Sequence, residues 1–387
     1  MADLFLANAQ IVTPKEVIQG NILCENGKIS DFGPQVEKPR SDTIPVFDAK
    51  GRRILPGYID IHSHGADGVD TSEATPEQSA ADSVISKIAK KKLAEGVTTW
   101  LPTTTTISAA KLEKIAAGIQ NYRNAPTATR VPGMHIEGPF LSKKFLGSQN
   151  PLYAIEPDFD LVKRLHDICP ARLLSLAVEL PGALSVIEKC KDLGIVTSCA
   201  HSGATYAEFK KAQAAGIQHI THYCNQISPL HHREIGLVGA GMLDSDVKVE
   251  IICDGLHLNE DMLRLVFKTI PPERIMLITD SIAASWLGDG FYELGEQEVE
   301  VRNGSAYVTG TTTLAGTTLH FDHGVERAAR ISGFTVPEIS RIASTNQAQS
   351  LGLSDRGAIQ KGLLADFVVV GESFHAEQTI LGAEIVS

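Results

Sequence analysis

Between Leu55 and Leu351 short apolar, β-rich runs alternate with helix-length segments, and this alternation constrains the fold more than any other feature. The runs fall at 58–62, 97–101, 131–136, 173–178, 195–200, 218–222, 247–252 and 275–279. Helical patterns at 78–94, 109–121, 161–168 and 206–214 lie between them. Alternating β and α elements favour a parallel sheet covered by helices. Eight strands over roughly 290 residues suit an α/β chain of the (β/α)8 TIM type, which usually needs about 250 residues before insertions. An open, doubly wound sheet is the runner-up, weakened because no G-x-G-x-x-G follows the first strand.

The two ends read differently. Strands are expected at 4–12, 17–25 and 28–32, with Asn26-Gly27 between the last two as a strong hairpin signal. Near the other end, Ala365-Asp-Phe-Val-Val-Val reads as a further strand. A small β-domain built from 1–56 and 352–387 would then be interrupted by the main unit at 57–351. Within that unit, the alternating pattern at 287–308 and its Asn303-Gly304 turn suggest a hairpin inserted after the eighth strand.

Composition narrows the function classes. The mean hydropathy is near zero, and no apolar run approaches the ~18 residues that a membrane span requires. The start, Met1-Ala-Asp-Leu-Phe-Leu, lacks the basic flank and apolar stretch of a secretory signal, so a cytoplasmic protein is expected. A net charge of −11 argues against a general nucleic-acid binder. It leaves an anionic small substrate open, because a local Arg/His cluster can override the global field. The six cysteines form no C-x-x-C pair, which fits reduced core thiols better than a disulfide framework. Cys199, Cys224 and Cys253 lie near candidate histidines, but buried strand positions are the simpler reading.

The chemistry lies at the strand ends. The first expected strand runs into His62-Ser-His64, the third into His135-Ile-Glu137-Gly138, and the fifth into His201. The sixth ends at His222-Tyr-Cys-Asn225, Asp254-Gly-Leu-His257 follows the seventh, and Asp280 ends the eighth. Barrel active sites sit at the C-terminal ends of the strands, so these groups would converge on one mouth. Histidines at i and i+2 on a strand share a side, so His62 and His64 can grip one ion together. Imidazoles and carboxylates suit zinc or iron(II). Glu137 could bridge two ions about 3.5–4 Å apart, with Asp280 moving the proton between an activated water and the leaving nitrogen. Taken singly, each residue has an ordinary explanation: a hydrogen-bonded histidine, a chance His-x-His, an Asp helix cap. Six such groups at six strand ends are not explained by caps.

Several longer segments resemble the N-acetylglucosamine-6-phosphate deacetylases. They are His62-Ser-His64-Gly65, Met134-His-Ile-Glu-Gly-Pro-Phe-Leu-Ser, Ala200-His-Ser-Gly-Ala-Thr-Tyr, Pro229-Leu-His-His-Arg-Glu-Ile-Gly, Asp254-Gly-Leu-His, Thr279-Asp-Ser-Ile-Ala-Ala and Thr313-Leu-Ala-Gly-Thr-Thr-Leu. The likeness runs in order along essentially the whole chain. It implies an amidohydrolase barrel with a small β-sandwich from both termini, usually a homodimer, that removes the acetyl group from an N-acetylhexosamine 6-phosphate. Glu137, His201 and His222 would be the core metal ligands, with His62 and His64 completing a site for two divalent ions, zinc or iron. Asp280 would be the general acid/base. His257, Arg233, Asn225, Gln226, Gln149 and Gly138 would meet the substrate, Arg233 reaching in from the neighbouring subunit, and 287–308 would serve as a lid. Two departures stand out: Gln149 occupies the place of a histidine that touches the substrate carbonyl, and Gln226 replaces a small residue beside the phosphate loop. The galactosamine isomer, or another N-acyl amine, is therefore the rival substrate, and a non-catalytic scaffold the remote alternative.

Overall fold

Asn26 and Gly27 both adopt positive φ, 52° and 71°, and close a tight turn between strands Val17–Glu25 and Lys28–Gly33. Such a turn matches the right-handed twist of its flanking strands. The computed structural model describes residues 2–39 and 43–386. In it this hairpin belongs to an eight-stranded sheet drawn from both ends of the chain. The sheet runs Glu384–Ile385, Ala376–Leu381, Phe367–Val370, Arg53–Pro56, Leu4–Val12, Val17–Glu25, Lys28–Gly33, and Val46–Asp48 pairs beside Leu4–Val12. The junction of the two ends is the antiparallel pairing of Phe367–Val370 with Arg53–Pro56. The sheet has its own buried core, which includes Leu6, Ile11, Ile22, Ile54, Phe367 and Ile380.

The middle of the chain is α/β of the TIM type. Strands Met134–Glu137, Ala171–Leu176, Val196–Cys199, His219–Ile220, Lys248–Ile252 and Ile275–Ile278 pair in sequence order, every pair parallel. Tyr58–Ser63 and Val97–Pro102 form a further parallel pair. Isolated parallel bridges join the two groups at Thr99 with Arg130 and Thr103 with His135, and Ser63 bridges Ser281 just past the last strand. Alternate strand residues go to different cores, as period-2 geometry requires. Leu174, Leu176, Ile275 and Leu277 pack with the helices, whereas Leu173, Met276 and Ile278 join Ile59, Ile61, Leu101 and Leu351.

Local chemistry sets the helix limits. Helix Val84–Ala94 begins later than the pattern at 78–94 suggested, because the Ser83 side chain accepts the Ser86 N–H and caps it there. Helix Phe159–Ile168 starts two residues early for the same reason, with Asp158 as its cap. The insertion after the eighth strand is a three-stranded antiparallel sheet rather than a single hairpin, formed by Gly290–Leu294, Gln297–Arg302 and Ser305–Val308. Gly295, at φ 61°, makes the second turn that the sequence reading missed. Among the described residues no helix is long and apolar enough to cross a membrane. All six cysteines are free thiols, five buried and Cys224 half-buried.

Candidate metal and active site

Three residues at strand ends hold left-handed backbone: His201 at φ 45°, His222 at φ 30° and Asp280 at φ 50°. Each such conformation in a non-glycine residue costs on the order of 1–3 kcal/mol and persists only where the surroundings enforce it. The strained turns aim the three side chains at one point. Glu137, buried at the end of its strand, occupies that point. Its Oε1 lies 3.2 Å from His222 Nε2 and 3.4 Å from both His201 Nε2 and His62 Nε2. Its Oε2 lies 3.3 Å from His64 Nε2. Asp280 Oδ1 completes the ring, 3.2 Å from His64 Nε2 and 3.4 Å from His62 Nε2.

Two triads could each hold an ion: His62, His64 and Glu137, and Glu137, His201 and His222. The fit can be judged from spacing. Ligands 2.0–2.1 Å from one ion at tetrahedral angles sit about 3.3–3.4 Å apart. His62 and His64 Nε2 are 3.3 Å apart, and His201 and His222 Nε2 are 3.1 Å apart. The opposite ring nitrogen of His201 lies 2.7 Å from the Phe145 carbonyl. Donation from Nδ1–H there leaves the Nε2 lone pair facing inward, the tautomer a ligand needs. No cysteine belongs to either triad.

The electrostatics point the same way. Burial alone would lower His62 and His64, but Glu137 and Asp280 override it, holding His62 well above its ordinary value and His64 at about 9. The carboxylates respond in the opposite sense. Despite burial, Glu137 lies well below the usual range, and Asp280 falls to about 2 because of His62 and His64. The cluster therefore favours positive charge at its centre, which a metal ion could supply in place of protons. Burial lowers His222, against Glu137.

A cavity of about 290 Å³ opens over this cluster, near the small end of the ~300–1,000 Å³ range of ligand pockets. His64, Glu137, His201, His222, Asp280, Gln149, Asn225, Gln226 and His257 line it, with Leu294 from the inserted sheet and Leu314 just beyond it. No Lys or Arg is among the lining residues. His257 Nδ1–H donates to Asp254 Oδ2 at 2.8 Å, and that carboxylate lifts its pKa although burial opposes it.

Gln149 lines the cavity, Gly138 does not, and Arg233 lies on the surface of this chain. Gln149 is tied at both ends: its Nε2 donates to Glu137 Oε2 at 2.8 Å, and its Oε1 accepts the Thr106 N–H at 2.7 Å. Gly138 does not line the cavity; its φ of 70° and a would-be Cβ only 2.3 Å from Thr106 Oγ1 explain why glycine stands there. Arg233 is exposed, bonded to His232 Nε2 at 2.7 Å and not to Glu234, whose carboxylate accepts the Tyr206 and Gly236 N–H groups.

The sequence reading missed what lies beneath the site. Lys92 is fully buried, with Nζ 3.0 Å from Asp60 Oδ2 and 3.2 Å from Glu95 Oε2. The same Nζ donates to Thr279 Oγ1 at 3.2 Å and Ser281 Oγ at 3.0 Å, the residues on either side of Asp280. Asp60 Oδ1 in turn accepts the His62 N–H at 3.3 Å. One ammonium thus fixes the backbone of both the His62 pair and Asp280. In sequence Lys92 is the third of three consecutive lysines on a helix, indistinguishable from a solvated face.

Residues 53–386 match the amidohydrolase family. The chain is 33% identical to the human N-acetylglucosamine-6-phosphate deacetylase, with 99% of this chain and 95% of that protein covered. It is also 33% identical to the N-acetylgalactosamine-6-phosphate deacetylase of Escherichia coli O157:H7, over 89% of this chain and 90% of that one. A solved structure of a Mycobacterium smegmatis N-acetylglucosamine-6-phosphate deacetylase variant, in complex with N-acetylglucosamine 6-phosphate, superposes with a TM-score of 0.90 at 29% identity, covering all of both chains.

Proposed function

The chain belongs to the amidohydrolase family, among the N-acetylglucosamine-6-phosphate deacetylases, and on that premise we propose that it hydrolyses the acetamide of N-acetylglucosamine 6-phosphate to glucosamine 6-phosphate and acetate. The observation that carries this reading is the convergence of four imidazoles, Glu137 and Asp280 beneath a small cavity. Glu137, His201 and His222 would hold one divalent ion, and His62, His64 and Glu137 a second, zinc or iron. When bound, such metal supplies Lewis acidity and lowers the pKa of water toward 7.

The remaining work belongs to the protein's own groups. Asp280 lines the cavity, and its Oδ1 lies beside both His62 and His64. There it takes a proton from the attacking water and delivers it to the amine, a poor leaving group until protonated. Asn225, Gln226 and His257 also line the cavity and would hold the sugar phosphate. Because the lining contains no Lys or Arg, the phosphate would depend on His257 and on a cation from outside, the part assigned to Arg233 of a second subunit in a homodimer. Gln149, which lines the cavity, would meet the substrate while bracing Glu137, and Gly138 would act behind it.

We read the strands and bridges of the middle segment as a closed (β/α)8 barrel at 57–351, and the terminal sheet, curled over its own core, as the small β-sandwich domain of 1–56 and 352–387. A cytoplasmic setting suits a phosphorylated metabolite. Amine release from N-acetylglucosamine and N-acetylgalactosamine, each with and without 6-phosphate, tests the function in protein loaded with zinc or ferrous iron. Phosphate-dependent release from the gluco compound supports it. The galacto isomer, which the name of the similar E. coli protein gives as its substrate, is the second reading, and faster release from that isomer would select it.

A further inference from the structure

Away from the cavity, three imidazoles and a carboxylate gather where the long helix Phe321–Ser332 meets the C-terminal segment. His320 is the N-cap of this helix, Asp322 and His323 lie in its first turn, and His375 immediately precedes strand Ala376–Leu381. One ligand atom each from His320, Asp322 and His323 lies within 4.8 Å of the others. His375 Nδ1 is 3.4 Å from Asp322 Oδ2, and its ring centroid is 4.7 Å from that of His323. We propose that His320, Asp322, His323 and His375 form a separate binding site for a divalent transition metal, of which zinc is the representative, clipping the helix to the terminal sheet.

The donor set suits such an ion, since imidazole nitrogens with one carboxylate are typical zinc, nickel or copper ligands. The His320 and His323 rings already lie side by side, with centroids 5.0 Å apart, so the two can reach one point. Asp322 is already oriented by both elements that the ion would join: Oδ1 accepts the His323 N–H at 3.0 Å, and Oδ2 accepts the Ala376 N–H at 3.1 Å. Held in this way, it meets no Lys or Arg in an ion pair among the described residues; its recorded partner is His375. The His320 ring is fixed by stacking on Trp286, with centroids 4.1 Å apart and planes at 18°.

Tetrahedral ligands sit closer together, about 3.3–3.4 Å, so His320, Asp322 and His323 must close by up to about 1.5 Å, and His375, outside that triad, must swing further in. His323 is exposed and His375 partly so, and both can rotate without disturbing the core. His320 also ends the segment whose Thr312, Thr313, Leu314 and Gly316 line the substrate cavity, so a bound ion would tether that segment at its far end. The site uses none of the groups assigned to hydrolysis, so it stands or falls independently of the proposed activity.

The test compares the full-length wild type with His323→Ala/His375→Ala, both dialysed against buffered micromolar zinc with chelator-free controls. Bound zinc is measured by elemental analysis and Tm by calorimetry. Wild type should hold one zinc more per chain than the double variant, and zinc should raise its Tm by several degrees more, while basal turnover stays equal. Equal zinc content and equal Tm response in the two proteins would overturn the proposal. His375→Gln, which leaves the helix untouched, serves as the second variant should the double one fold poorly, with the same two readouts.

Discussion

Replacing Lys92 with Met should destabilise the protein strongly and in a pH-dependent manner. The substitution keeps the length and apolar stem of the side chain but deletes an ammonium that is wholly buried between Asp60 and Glu95. The buried triad then passes from one net negative charge to two. Removing one partner of a buried pair typically costs about 3–5 kcal/mol. Here the lower end is expected, because both carboxylates keep other donors. Asp60 retains the Thr279 hydroxyl at 2.6 Å, and Glu95 retains Trp286 Nε1 at 2.8 Å and the Phe321 N–H at 3.1 Å. About 3 kcal/mol is therefore the expected loss at neutral pH.

The sign of its pH dependence follows from Glu95. Burial already raises its pKa, and Lys92 is the largest opposing influence, so the substitution raises it further. A carboxyl that binds its proton more tightly when folded loses stability as pH rises above its unfolded pKa of about 4.3, by at most about 1.36 kcal/mol per pH unit. The deficit of the variant should thus be smaller at pH 5 than at pH 8. Urea unfolding followed by circular dichroism, with wild type at each pH as reference, measures it. Neutralising the orphans in Lys92→Met/Asp60→Asn/Glu95→Gln should recover much of the loss. A deficit below about 1 kcal/mol, or one independent of pH, would refute the assignment of Lys92 as the charged support of the site.

Three other outcomes are expected. Gln149→Ala removes a donor to Glu137 and orphans the Thr106 N–H, so metal affinity in competition with a chelator should fall about 10–100-fold; an unchanged affinity would return Gln149 to a purely substrate-facing role. Asp280→Asn should keep its metal content and lose turnover by at least about 10²-fold, and full activity would remove Asp280 from proton transfer. In chelator-treated protein, the raised pKa of His64, about 9, contributes stability that is complete below its unfolded value and is lost as pH rises through 9. Tm of that protein should therefore decline between pH 7 and 9.5, and zinc binding at pH 7.5 should release protons measurable by calorimetry in two buffers of different ionisation enthalpy.

Much of the candidate site was legible because it is written locally. A strand shows itself in a run of β-branched and apolar residues, and the polar residue that ends the run marks the mouth of a parallel-stranded fold. His62, Glu137, His201, His222 and Asp280 could thus be grouped before any contact was known. Asn26-Gly27 likewise specified its turn through the backbone preferences of two residues. The structure adds the distances that make this grouping chemical, such as 3.1 and 3.3 Å between paired ring nitrogens.

Other features had no local signature. Gln149 reads as a substitution in a loop until Thr106 and Glu137 are seen at the two ends of its amide. His375 lies 52 residues beyond His323 (375 − 323), and only the pairing of the terminal strands brings it back beside the helix. Lys92 is the plainest case. Its helix has the ordinary amphipathic pattern, and whether a lysine at its edge faces water or two buried acids depends on Asp60 and Thr279, 32 and 187 residues away. Propensity and periodicity act over a few residues, so the sequence alone determined which elements form and which groups end them. Charge compensation and ligand spacing are set between residues far apart in the chain, and those only the tertiary structure decided.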